Sequence, residues 1–278
     1  MIDSSQLCFT RAIEQPEFMG AFRCLYRSYH RRGLIRCSRA QQLRLTRYHL
    51  LPETRVLIAR HGSRVVATLS LIEDRPLGVP LRSIFDAEVE AITGGEEPLA
   101  EAGCLAIDPL ANVDGIYVVQ HLMGLAAQAA IRRNIYRIVV AVHPRHAPFY
   151  QRIAGFQQFA GPAPHPGVAG APAVGLQLNI EAMPRDNPAA WQRVLDMQFS
   201  AIALSTRPAT PLFTRRLARL WQSLYDESGA AADQPGANVN PPSRMVAPAS
   251  VASPVLTFQD AESARCADHY DYAASKAS

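Results

Sequence analysis

Leu99-Ala-Glu-Ala-Gly-Cys-Leu-Ala-Ile-Asp-Pro109, with the residues that follow it to Phe159, decides the fold. The run is mostly apolar and of strand length, and Glu101 is the only charged residue between Leu99 and Ile107. Ile116 to Arg133 places Ile116, Val119, Met123, Ala126, Ala127 and Ala130 at the spacing of a helix buried on one face. Arg137-Ile-Val-Val-Ala-Val-His143 is too uniformly apolar for a half-exposed strand, so it predicts a central strand covered on both sides. Phe149-Tyr-Gln-Arg-Ile-Ala-Gly-Phe156 reads as a short helix closed by glycine and re-entering the sheet. Strand–helix–strand connections of this length predict parallel, right-handed crossovers.

Upstream, Val56–Arg60 and Val65–Ile72 flank His61-Gly-Ser-Arg64 and predict a β-hairpin. Pro16 to Arg32 predicts a helix with Phe18, Phe22, Leu25 and Tyr29 on its buried face and Gly33 as its terminator. Ser38-x-x-Gln41 has the form of a capping box for a second helix reaching towards Leu51. Between the hairpin and Leu99, Glu73 to Pro98 is a polar insertion with helical spacing at Ile84, Phe85, Val89 and Ile92. It is long enough to act as a lid over a substrate groove. Downstream, Gly161 to Pro172 reads as a Pro/Gly loop and Val174–Ile180 as the final strand. Two apolar-striped helices are expected next. One starts at Pro188 and carries Trp191, Leu195, Phe199 and Ile202; the other starts at Pro211 and carries Leu217, Leu220, Trp221 and Leu224.

The chain has 278 residues, is 48% hydrophobic and carries a formal charge of +4, which is too mild to suggest a nucleic-acid partner. Five cysteines with no Cys-x-x-Cys pair argue against a disulfide framework or a zinc site. No metal-ligand cluster, Ser/His/Asp elbow or Walker loop occurs. The N-terminus has no signal-peptide pattern and no apolar run spans a bilayer, so a cytoplasmic location is expected. The expected organisation is a core over 1–182 and helices packed on it over 183–228. The tail over 229–278 is too poor in large apolar side chains to offset the entropy of ordering and is expected to be disordered.

Aromatic-Tyr-x-x-x-x-Gly-Phe after a buried strand resembles the fourth helix of the GCN5-related N-acetyltransferase (GNAT) fold. More narrowly, the chain resembles the FeeM-type N-acyl amino acid synthases, relatives of that fold and of the acyl-homoserine lactone synthases. The hairpin strands, Pro76-Leu-Gly-Val-Pro-Leu81, Leu99–Pro109 and His143–Phe156 carry the likeness, over roughly residues 15 to 180. It implies an α/β (α+β) acyl-CoA N-acyltransferase-like fold, a mixed twisted sheet flanked by helices, here with a C-terminal helical extension. It also implies transfer of a long-chain acyl group from an acyl carrier protein thioester, or from acyl-CoA, to the α-amine of an amino acid, with no tightly bound cofactor. Two alternatives stay open: a conventional CoA-dependent N-acetyltransferase, and a scaffold that has lost catalysis and only binds a partner.

Amide formation from a thioester needs a base for the amine, donors for the oxyanion and a proton for the thiol. From the residues alone Glu101 is a strand-end carboxylate; the resemblance makes it the candidate base. It maps the oxyanion donors to the backbone of Leu105 and Ala106, and the proton donor to Tyr150, which reads equally well as an aromatic packed on the sheet. Phe149 and His143 fall at the substrate side, although a rim histidine is the plainer reading of His143. Cys104 stands where these synthases usually keep a basic residue three positions after the acid. Leu110-Ala-Asn-Val-Asp-Gly-Ile116 replaces the phosphate-binding loop of ordinary acetyltransferases and puts an aspartate where a phosphate would sit. From Phe18 to Pro52 there are eight arginines and no acid. This segment is either a solvated helix face or a docking surface for an acidic carrier protein, and Arg27, Arg31 and Arg32 are the candidate contacts.

Overall fold

Among the described residues seven strands form: Leu7–Arg11 (β1), Arg55–His61 (β2), Arg64–Glu73 (β3), Leu99–Ile107 (β4), Arg137–Val142 (β5), Gln157–His165 (β6) and Ala171–Asn179 (β7). The helices are Gln15–Arg31 (α1), Arg82–Thr93 (α2), Gly115–Ile131 (α3), Ala147–Ala154 (α4), Met183–Asp186 (α5), Pro188–Asp196 (α6) and Pro211–Asp226 (α7). This computed structural model describes residues 2–35, 42–95 and 97–226. The strands form one mixed sheet in the order β1-β2-β3-β4-β5-β7-β6. Only the β4–β5 pair is parallel, joined through α3, because β7 inserts antiparallel between β5 and β6.

Helices cover both faces, which is why β3, β4 and β5 are apolar along nearly their whole length. On one face α3 and α4 pack with Leu57, Leu69, Leu71, Ala100, Leu105, Val140 and Leu176. On the other, α1 and α2 bury Leu25, Tyr29, Phe85 and Val89 against Leu99, Cys104, Ala106 and Val139. A third cluster unites α1 with α7 through Phe18, Phe22, Leu217 and Leu224. Arg55 ties the C-terminal segment to the sheet, pairing with Glu73 at 3.0 Å and donating to the Thr206 carbonyl at 2.9 Å.

The structure departs from the sequence reading in several places, each with a physical reason. The expected Pro/Gly loop is largely strand: β6 runs through Gly161, Pro162 and Pro164. An edge strand tolerates prolines that a central one cannot, and two register shifts between Gln158 and Ala163 absorb them. Gly161 has φ +89°, and a Cβ there would lie 2.7 Å from the Ala173 carbonyl and 3.0 Å from the Phe85 ring. The helix expected from Pro188 stops at Asp196. The Gln128 amide donates to the carbonyls of Val194 and Met197, and Met197 turns extended with its sulfur packed over Gly124. Leu195 and Ile202 are left exposed, and Ala203 and Leu204 are buried instead. The capping box at Ser38 lies outside the described residues, as do Arg36, Arg39 and the tail from 227. Between Gln42 and Leu51 the chain forms no α-helix, only a 3₁₀ turn over Arg47–Leu50.

Candidate active site

The site lies where β4 leaves β5. Pairing between the two strands covers only Leu99–Arg137, Ala100–Ile138 and Glu101–Val139. On the other side of β4, Gly103 faces Ser70 and Ala106 faces Thr68, so Cys104 and Leu105 together oppose Leu69. Two residues against one make a β-bulge, and Cys104 adopts φ +53°, rare for a residue with a side chain. The bulge turns Cys104 onto the face that already holds Leu99 and Glu101. Of the two expected oxyanion donors, Leu105 sits in the bulge and Ala106 is back in register with β3.

Glu101 is almost completely buried. The insertion after β3 covers it: Leu81 N–H donates to Glu101 Oε2 at 2.6 Å. That segment is pinned rather than loose. Asp74 accepts from Arg82 Nε at 2.9 Å and Nη2 at 3.0 Å, and also from Val79 N–H at 3.0 Å. Burial pushes the Glu101 carboxyl up to about 8, against the pull of the Leu81 N–H and with the help of the Asp74 charge. Gly103 gives the carboxylate its room, since a Cβ there would stand 3.1 Å from Oε1.

Cys104 is buried, and burial drives its thiol up to about 12 although the Arg44 charge and a Ser70 hydrogen bond lower it. Such a thiol is no nucleophile at neutral pH. Beneath it runs a chain of polar groups that the sequence reading missed. Thr46 N–H donates to His49 Nδ1 at 2.8 Å, which leaves the ring proton on Nε2, 3.0 Å from Ser70 Oγ. Burial lowers the His49 pKa to about 4, so the ring is neutral.

Tyr150 is fully buried, its ring edge-on to Phe149 and to Phe156, and burial raises its hydroxyl well above the ordinary phenol range. It belongs to the core on the α3 side of the sheet. Phe149 belongs to the α3-side core. His143 caps the turn before α4, with Nδ1 accepting from Arg145 N–H. It is half-buried, and burial lowers its pKa.

The N-terminus of α3 is already occupied. Asp114 Oδ1 accepts from Ile116 N–H at 3.0 Å and Tyr117 N–H at 3.2 Å. On α1, Arg27 is bound to the buried Asp108 through both Nε (3.2 Å) and Nη2 (2.7 Å), and Arg64 joins the same carboxylate at 3.1 Å. Burial would raise the Asp108 pKa, but these arginines and the Leu110 N–H hold it below the usual carboxylate range. Arg31 is exposed and touches the Pro109 carbonyl, and Arg32 bonds Ser28 Oγ. Among the described residues no group of side chains could hold a metal ion, Cys8, Cys24 and Cys104 are free, and no helix is long and apolar enough to cross a membrane.

Comparison with known proteins bears on the fold and the family. No curated protein matches the chain. The structure of FeeM, an N-acyl amino acid synthase from uncultured soil microbes, superposes with a TM-score of 0.56 at 22% identity, over 66% of this chain and 96% of that one. TofI, solved in a ternary complex with an inhibitor and MTA, gives a TM-score of 0.50 at 17% identity, over 72% of this chain and 100% of its own. At these identities the likeness is one of fold, and that fold is GNAT-like. The model of the family described as N-acyl amino acid synthase FeeM matches residues 20–179, a span that takes in most of α1, the pinned insertion, the bulge and strands β2 to β7. That is more than half of the sequence, so the chain belongs to the FeeM N-acyl amino acid synthase family and is an N-acyltransferase.

Proposed function

We propose that the protein joins a long-chain acyl group, delivered as a thioester on an acyl carrier protein, to the α-amine of an amino acid. The observation that carries the choice of donor is the closed N-terminus of α3. The amide groups that would cradle a CoA pyrophosphate in a helix-terminus site are engaged by the Asp114 carboxylate, whose charge would repel a phosphate. A pantetheine arm that ends on a protein brings no adenosine diphosphate moiety and has no need of that cradle.

In this reading the amine nitrogen attacks the thioester carbonyl carbon in the gap between β4 and β5. Glu101 takes the amine proton as the C–N bond forms, and its raised pKa suits a base that works near neutrality. Backbone N–H groups of the bulge, Leu105 foremost, receive the oxyanion. When the C–S bond breaks, Tyr150, protonated at any ordinary pH, returns a proton to the leaving thiolate. The small apolar side chains of Ala106, Ala141, Ala160 and Ala173 on the Cys104 face suit the chemistry of an acyl chain. The exposed arginines of α1, beside the loop after β4, are the surface offered to the acidic carrier.

The test is incubation with palmitoyl acyl carrier protein and each of the twenty amino acids, read by mass spectrometry. An N-palmitoyl amino acid is the expected product. Faster transfer from acetyl-CoA than from any carrier-bound chain would overturn the donor assignment.

A further inference from the structure

We propose that Tyr29, Arg44 and His165 form an anion pocket that holds the carboxylate of the amine acceptor, replacing the basic side chain missing at position 104. This rests on the reading above that the acceptor is an amino acid. The three residues come from α1, the segment before the 3₁₀ turn, and the end of β6, and sequence gives no hint that they meet. Arg44 lays its guanidinium over the Tyr29 ring, 5.4 Å from the centroid, and donates from Nη2 to the Gly167 carbonyl at 3.2 Å. The Gly167 N–H in turn donates to His165 Nδ1 at 3.0 Å. One glycine peptide therefore holds both the arginine and the histidine.

The chemistry of what remains unbonded points to the ligand. The Tyr29 hydroxyl, Arg44 Nε and His165 Nε2 are enclosed and have no hydrogen-bond partner. Because His165 Nδ1 accepts, its ring proton resides on Nε2, so that atom is a donor. Arg44 Nε can only donate, and the Tyr29 phenol, its pKa raised well above the ordinary by burial, keeps its proton. Buried groups of this kind are normally paired, and leaving three donors orphaned is costly. An acceptor-only group set among them would supply the missing partners, and the guanidinium would make it an anion. One cation with two neutral donors matches the single charge and two oxygens of a carboxylate better than a doubly charged phosphate. The pocket also adjoins the reacting centre. Tyr29 and Cys104 share the apolar cluster that includes Leu81, the cover of Glu101, and the Arg44 charge reaches Cys104. A carboxylate seated here would hold the neighbouring amine on the face of the sheet where Leu81 covers Glu101.

The test measures kcat/KM for each of the twenty amino acids against the amine left when its carboxylate is removed, leucine against isoamylamine for example, with palmitoyl acyl carrier protein as donor. The wild type is expected to favour the amino acid. Arg44→Met should lower that preference by on the order of a hundredfold, mainly through KM, and Arg44→Lys should recover part of it. Tyr29→Phe, which removes one hydroxyl without altering the packing, should lower it by about tenfold and serves if Arg44→Met does not fold. A preference untouched by Arg44→Met and Tyr29→Phe would overturn the pocket while leaving N-acylation intact. If neither amino acids nor amines are acylated by the wild type, the proposed function itself fails.

Discussion

Replacing Glu101 with glutamine should change stability and catalysis in opposite directions. The carboxyl titrates near 4.5 when solvated and at about 8 in the fold. Between those values the folded state binds more protons than the unfolded one, so stability falls as pH rises through the window. From pH 5 to pH 8 the wild type should lose about 3 kcal/mol on this account, at about 1.4 kcal/mol for each unit of difference in pKa. Glutamine cannot ionise, yet its carbonyl can still accept from Leu81 N–H. The wild-type-minus-variant difference in unfolding free energy, measured by denaturant titration at several pH values, isolates the residue because all other groups cancel. It should grow less favourable to the wild type by about 3 kcal/mol across the window. Parallel curves would refute the claim that Glu101 is desolvated. Loss of the proposed base should cost turnover by about 10²–10⁴-fold. The wild-type kcat/KM should climb with pH to a plateau above about 8, a limb the variant should lack. A fully active variant would remove Glu101 from the chemistry.

Gly103→Ala should leave the protein folded and lower kcat at least tenfold, because the new methyl would stand 3.1 Å from Glu101 Oε1 and displace it; kinetics beside a circular-dichroism melt checks both. Thiol titration with an aromatic disulfide should find Cys8 reactive in the native state and Cys24 and Cys104 reactive only after denaturation, since both are enclosed and burial raises both thiols. Arg23 is exposed on α1 like Arg31, and Arg23→Glu with Arg31→Glu should raise KM for a carrier-bound donor about tenfold and spare a small soluble thioester, with a matching loss in high salt. Arg27→Glu should instead lower the melting temperature, because it sets a second carboxylate against the buried Asp108.

The strands and helices around the site were legible because local pattern determines them. The β-branched run from Arg137 to Val142 had to be central, and the apolar spacing from Ile116 had to lie on a sheet. β6 was hidden because Pro162 and Pro164 signal a break wherever the strand is not at an edge, and edge position is a property of the finished sheet. The helix from Pro188 was overextended because periodicity carries no stop signal at Asp196; the stop comes from Gln128, which is 66 residues from Val194.

The site divides along the same line. Glu101 is visible as the lone charge of an apolar strand, though only the resemblance makes it a candidate base, and Asp114 is visible as an acid at a helix start. The raised pKa of Glu101 is not, because the Leu81 N–H and the cover it belongs to arrive from 20 residues away. Cys104 shows the difference most sharply. In sequence it reads as the loss of a cation. In space the bulge sets its small side chain on the face of the sheet that α1 and α2 cover, where the charge of Arg44, brought from across the fold, lowers its thiol pKa against the effect of burial. A larger basic residue at 104, already at φ +53°, would have to share that room with Arg44 at the cost of like-charge repulsion. In the proposed anion site the small residue at 104 and the arginine at 44 are therefore one arrangement, and neither position has its meaning alone.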